Sequence, residues 1–248
     1  RMDADWPGQA GNEPDEQGME TEEYYIYKYS KGSDYVRKIL RIFSDGIQMM
    51  SDSMGGRCLA VYSPIGRCGK TMLANGLCRF LSRTQGKPAG CMYLGFEEYG
   101  VLGNETSAMY ELLYYVKQRA GNISMKMKAL SVTEEGYERI PSAGAYGELR
   151  ELCLDDMNWL LQAIRKEGVY DYVVADIGGG SLSDVRMLYG FDQVYLPRLT
   201  DTDSQKKWQS FCEYLRQIEA DEEKLKSWYP VYVSKTGVTD RELNDWLQ

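Results

Sequence analysis

The chain has 248 residues, 43% hydrophobic and 27% charged, which is enough to bury a full globular core. Its formal net charge is −8, which disfavours a main partner gripped through nucleic-acid phosphates. Histidine is absent, so Ser–His–Asp catalysis, Cys–His catalysis and imidazole metal sites are all excluded.

The six cysteines contain no C-x-x-C pair, and most sit among apolar residues, where a free thiol acts as a small buried hydrophobe. Disulfides and zinc are therefore not expected. No apolar run approaches the roughly 20 residues of a membrane-spanning helix. The stretch Arg1–Pro7 has no hydrophobic segment of the secretory type, and a cytoplasmic location is expected. Chemistry must come from carboxylates, lysine, hydroxyls, backbone amides and a bound ion.

Residues 1–22 are rich in Gly, Asp, Glu and Pro without periodicity and read as a linker or disordered segment. Residues 23–50 read as a strand–helix appendage: the aromatic run Tyr24–Tyr29 is β-prone, and Val36, Ile39, Leu40, Ile42 and Phe43 follow a helical period. From Cys58 onward strands alternate with helices. Strands are expected at Cys58–Tyr62, Cys91–Phe96, Tyr172–Ala175, Val194–Leu196 and Val231–Val233. Helices are expected at Lys70–Leu81, 105–119, 148–167 and Ser204–Glu219. Such alternation implies parallel crossovers. The fold expected over 51–248 is therefore a doubly wound α/β domain with a mostly parallel sheet flanked by helices.

The most informative stretch is Ser63-Pro64-Ile65-Gly66-Arg67-Cys68-Gly69-Lys70-Thr71, which follows a strand and opens a helix. Gly66, Arg67, Cys68, Gly69, Lys70, Thr71 and Met72 are the candidate phosphate-binding residues. Glycines let the backbone curl until its N–H groups converge on phosphate oxygens, and the helix N-terminus adds its dipole. Lys70 would reach the β- and γ-phosphates, and the Thr71 hydroxyl would ligate Mg²⁺. Pro64 stands where the strict pattern asks for glycine, and an ordinary glycine-containing turn is the competing reading.

A second element raises the case for phosphate binding. The strand Tyr172-Val173-Val174-Ala175 runs into Asp176 and then Gly178-Gly179-Gly180, which suits an acid of the magnesium shell. A plain acid of a strand-end turn competes with that role.

On these residues the sequence resembles the ParA/MinD ATPases. Ser63–Thr71 looks like their deviant phosphate loop S-P-K-G-G-V-G-K-T. Tyr170–Asp176 is similar to their Y-D-Y-I-I-I-D strand, and Phe191–Pro197 to their A-D-x-V-L-I-P strand. Tyr93–Glu98 and Leu113–Lys117 resemble the CpaE/TadZ pilus-assembly branch most closely. In that branch a receiver-like domain often precedes the ATPase, and the 24–50 stretch resembles its closing elements.

The resemblance implies ATP or ADP with Mg²⁺, with Lys70, Glu97 and Asp176 as catalytic residues. Glu97 would orient the attacking water, with an exposed loop glutamate as the competing reading; Thr71 would hold the metal with Asp176 in its outer shell, and Pro197 would border the base. Ser234-Lys235 stands where many relatives have an asparagine that reads adenine, so the base preference stays open. The family's signature lysine falls at Ile65, which carries no charge, and this implies slow hydrolysis or none.

The resemblance further implies an ATP-dependent homodimer that recruits a protein partner at a membrane or polar assembly. A ParA-type DNA-partitioning ATPase and a non-catalytic P-loop scaffold are the alternatives. A related bacterial tyrosine kinase would normally carry a tyrosine-rich tail, whereas the 20 tyrosines here are spread along the chain.

Overall fold

In the computed structural model, the described residues are 25–27, 56–84, 90–97, 108–134, 136–140 and 146–234. They build an eight-stranded sheet with helices on both faces. In chain order the elements are β1 (Tyr25–Tyr27), β2 (Arg57–Tyr62), α1 (Lys70–Thr84), β3 (Cys91–Phe96), α2 (Ala108–Lys117) and α3 (Ile123–Leu130). Then follow β4 (Val132–Glu134), β5 (Tyr137–Ile140), α4 (Tyr146–Arg150), α5 (Leu154–Glu167) and β6 (Tyr172–Ile177). A 3-10 turn (Val185–Gly190), β7 (Gln193–Leu199), α6 (Thr202–Gln217), α7 (Glu222–Leu225) and β8 (Trp228–Ser234) complete the domain.

The strand order is β1-β8-β7-β2-β6-β3-β5-β4, and every pairing is parallel except β4 with β5. The chain leaves β2 toward β3, fills the gap with β6, and then moves to β7 on the other side of β2. Strand order therefore reverses beside β2, where doubly wound sheets open a crevice at their carboxyl ends.

Alternation along the strands divides the core in two. Leu59 and Val61 of β2 pack with Leu73, Ala74, Leu77 and Leu81 of α1. Cys58, Ala60 and Tyr62 face the opposite layer, built by α2, α3, α5 and α6. Five cysteines are buried and Cys153 is exposed, all as free thiols. Burial pushes the Cys58 thiol up to about 12, consistent with an inert core residue.

The five strands expected from the sequence are present, Cys91–Phe96 with the same bounds and the other four with longer ends, while the helical stretch 148–167 is broken. Its last part is α5, opened by Cys153, whose N–H donates to Asp156 Oδ2 at 3.1 Å while its own thiol also lies 3.2 Å from that oxygen. Lys117 and Arg119 pair with the same Asp156 at 2.6 and 2.9 Å and tie α2 to α5; against the cost of burial, the hydrogen bonds from Lys117 and Cys153 hold its carboxyl down at about 2.

Helix α3 and the β4–β5 hairpin were not expected. The first is short, and its N-terminal amides Ile123 and Ser124 donate to Glu167 at 2.8 and 2.6 Å. The hairpin turns at Gly136, whose φ of +91° suits glycine. The aromatic run's strand lies at the sheet edge as β1, parallel to β8. The helix expected over 36–43 lies outside the described residues.

Candidate functional site

Strand β2 ends at Tyr62, and the backbone curls through residues 63–69 before α1 begins at Lys70. The curl is built from below. Ile65 and Cys68 are buried in the core layer opposite α1. The Ile65 N–H donates to Ser63 Oγ at 3.1 Å, and the Cys68 thiol donates to the Ile65 carbonyl at 3.1 Å. Arg67 and Gly69 adopt left-handed conformations, with φ of 59° and 88°. Gly66 and Arg67 are exposed above them, and a Cβ on Gly66 would meet nothing within 4 Å. Anchored by two buried side chains and turned twice through positive φ, the loop presents an open rim of backbone at a helix N-terminus. That arrangement suits an anion.

Lys70 is half-buried and makes neither hydrogen bond nor ion pair among the described residues. Thr71 and Met72 are exposed in the first turn of α1. Asn75 Nδ2 donates to the Thr71 carbonyl at 2.8 Å, and the Tyr137 hydroxyl donates to Asn75 Oδ1 at 2.6 Å. The hairpin strand β5 thus braces the turn of α1 that carries Thr71.

The acid strand β6 lies between β2 and β3, with Asp176 in register with Val61 and Gly95. Asp176 is fully buried. Its Oδ2 accepts a 3.0 Å hydrogen bond from the Tyr93 hydroxyl, while its Oδ1 is buried without a hydrogen bond. The Thr71 hydroxyl donates to the Glu97 carboxylate at the end of β3. Burial, and next the charge of Glu97, push the Asp176 carboxyl up to about 7, partly offset by the Thr71 and Tyr93 hydroxyls. Two carboxylates and a hydroxyl therefore crowd together beside the loop.

This donor set fits a hard divalent cation. All three groups offer oxygen, and an orphaned buried carboxylate oxygen is costly unless something takes its lone pairs. Among the described residues no cluster of three His, Cys, Asp or Glu forms a metal site, so an ion held here would complete its shell from water and phosphate.

The structure thus brings together Thr71, Glu97 and Asp176, beside the loop Gly66–Gly69 and Lys70. Pro197 is buried inside β7, in register with Val231 of β8, toward the side of β2 away from Asp176. Ser234 ends β8, and Lys235 lies outside the described residues. Gly178 donates its N–H to the Phe96 carbonyl at 2.8 Å. A Cβ on Gly179 would stand 3.1 Å from the Ser63 carbonyl oxygen, so the glycine run after Asp176 lies close against the start of the loop.

Two features escaped the sequence reading. The resemblance sets Ile65 at the position of the family's signature lysine, yet its side chain is 2% exposed and packs in the core cluster that holds Tyr62 and Cys68. The sequence reading gives Tyr93 no role at the site. Its signal was present: a tyrosine between Met92 and Leu94 on a buried strand needs a partner for its hydroxyl.

No protein-family model and no curated protein matches the chain. Solved structures share its fold. The kinase domain of Escherichia coli tyrosine kinase ETK superposes with a TM-score of 0.55 and 16% identity, over 83% of this chain and 77% of that one. A plasmid partition protein from Borrelia burgdorferi B31 bound to AMPPNP gives 0.51 and 17%, over 78% and 82%. Cobyrinic acid a,c-diamide synthase from Mycobacterium smegmatis with a bound ATP analog and magnesium gives 0.51 and 19%, over 77% and 80%. The architecture is thus the doubly wound P-loop NTPase fold. At these identities the likeness concerns the fold alone.

Proposed function

We propose that this chain is an ATP- and magnesium-binding switch protein of the ParA/MinD superfamily, acting in the manner of its CpaE/TadZ branch to position a membrane or polar assembly. The observation that carries the proposal is the oxygen cluster of Thr71, Glu97 and Asp176 beside a loop already curled at the head of α1. Two of the solved neighbours, bound to AMPPNP and to an ATP analog with magnesium, support the same choice of ligand.

In this reading the backbone N–H groups of Gly66–Gly69 and the Lys70 ammonium hold the phosphates. The Thr71 hydroxyl and the Asp176 carboxylate hold the ion, and Glu97 orients a water. Bound magnesium supplies positive charge against the phosphate oxygens and removes the repulsion between Glu97 and Asp176. Hydrolysis is slow or absent, because no charged side chain stands at Ile65 to meet charge developing on the transferring phosphoryl. The bound nucleotide favours a face-to-face homodimer, and the dimer recruits a protein partner. Residues 51–248 carry this activity, with the strand Tyr25–Tyr27 added to their sheet at its edge.

A DNA-partitioning role has the Borrelia neighbour in its favour, but the net charge of −8 disfavours a duplex gripped through its phosphates.

Calorimetry with Mg-ATP tests the proposal. The wild type should bind with a Kd on the order of micromolar, and Lys70→Ala should lose about 3 kcal/mol or more as a charge-assisted phosphate contact disappears. Equal affinity in the two proteins would sink the loop assignment.

A further inference from the structure

We propose that Tyr93 is a positioning residue: its buried phenol holds Asp176 Oδ2 and so leaves Oδ1 as the oxygen that meets the divalent cation. The inference rests on the nucleotide–magnesium reading above.

The register between β3 and β6 makes the contact. Tyr93 pairs with Val174 and Gly95 with Asp176, so Tyr93 lies two residues before the direct partner of the acid and on the same face of the sheet. A diagonal neighbour of this kind is within reach of an aromatic side chain. Gly95, opposite Asp176, places no side chain between them. The phenol spans the diagonal and donates to Oδ2 at 3.0 Å.

Packing alone does not call for that hydroxyl. Tyr93 is 1% exposed, in the layer formed by Leu73, Ala74, Leu77 and Leu81 of α1. Phenylalanine would fill the same ring volume without carrying a polar atom into an apolar core. The hydroxyl's one hydrogen bond among the described residues goes to Asp176. From the neighbouring strand the Arg139 guanidinium lies over the Tyr93 ring, 5.2 Å from its centroid, and Arg139 is in register with Tyr93. The ring is therefore clamped between strands, and its oxygen is a fixed point.

A fixed point matters because a carboxylate turns readily about its terminal torsion. With both oxygens free, Asp176 would present a spread of orientations to the ion. With Oδ2 tied, the second oxygen is set, and it is the one left buried without a hydrogen bond. Partners that orient metal-shell groups in this way typically contribute about 10- to 100-fold to metal affinity.

The test compares nucleotide affinity in Mg²⁺ and in EDTA for the wild type, Tyr93→Phe and the control Tyr170→Phe, using a fluorescent ATP analogue. Tyr170 is also 1% exposed and donates its hydroxyl at 2.6 Å, but to Glu138. The magnesium advantage, the ratio of the two affinities, should fall about 10-fold in Tyr93→Phe while the EDTA value holds. Tyr170→Phe should keep the wild-type ratio. A direct Mn²⁺ titration followed by electron paramagnetic resonance should show the same loss. If Tyr93→Phe melts too low to assay, Tyr93→Met serves in its place.

A magnesium advantage unchanged in the Tyr93 variants overturns this inference alone. A fall of both affinities together, in Mg²⁺ and in EDTA, marks a purely structural role and also overturns it. A wild-type protein that binds no nucleotide in either condition removes the nucleotide reading, and this inference falls with it.

Discussion

The Thr71 hydroxyl donates to the Glu97 carboxylate, joining the first turn of α1 to the end of β3. This contact keeps Glu97 beside Asp176, whose carboxyl is raised to about 7 by burial and by that neighbouring charge. The sign of the stability effect follows. Unfolded, the group sits near its ordinary 3.8; folded, it binds its proton more tightly. It therefore opposes folding in full above the folded value, and the opposition fades as pH falls through 7 and disappears below 3.8.

Metal-free Asp176→Asn should accordingly be more stable than the wild type at pH 8, with the gap closing toward pH 5. Melting curves at a series of pH values read this directly. A gap that stays constant across the range would contradict it. Glu97→Gln should move the transition to lower pH by removing the second cause.

Ile65→Lys puts a charge into a position that is 2% exposed. An unpaired buried ammonium costs several kcal/mol, or loses its proton. The variant should melt well below the wild type and show no gain in phosphate release. A stable protein with faster turnover would mean that the loop can turn this side chain outward.

Arg67 holds a φ of 59°, a conformation that side chains adopt at a cost of about 1 kcal/mol or more. Arg67→Gly should relieve it and raise the urea midpoint by a corresponding amount, somewhat offset by the greater freedom of glycine in the unfolded chain. An unchanged or lowered midpoint would show that contacts of the Arg67 side chain outweigh the backbone strain.

Much of the fold was legible because its central strands are buried on both faces and read as short apolar runs. The segments containing Leu59, Met92, Val174 and Val194 all became strands of the sheet. Helix α1 was legible from the spacing of Leu73, Ala74, Leu77 and Leu81. The β4–β5 hairpin was not, because Val132–Glu134 and Tyr137–Ile140 are short, charged and joined by a turn whose only mark is Gly136. Strand β5 nevertheless supplies Tyr137 and Arg139, which brace the site.

At the site the residue types at Lys70, Thr71, Glu97 and Asp176 were visible in the sequence, and their closeness was not. It depends on β6 inserting between β2 and β3, a crossover that no local pattern encodes. The direction of Ile65 was equally hidden. An alignment places a residue along the chain, whereas the twist of the loop decides whether it faces water or core.

Both borders of the sheet are narrow. Among the described residues each ends in a three-residue strand, β1 on one side and β4 on the other, and β4 exposes Thr133 and Glu134. Such edges offer few free amides and carbonyls to an incoming chain, and a charge on the rim repels hydrophobic stacking. Strand addition at the β4 border is thereby discouraged. Copies that do pair are left to meet through side-chain surfaces, at faces whose contacts can be made and released.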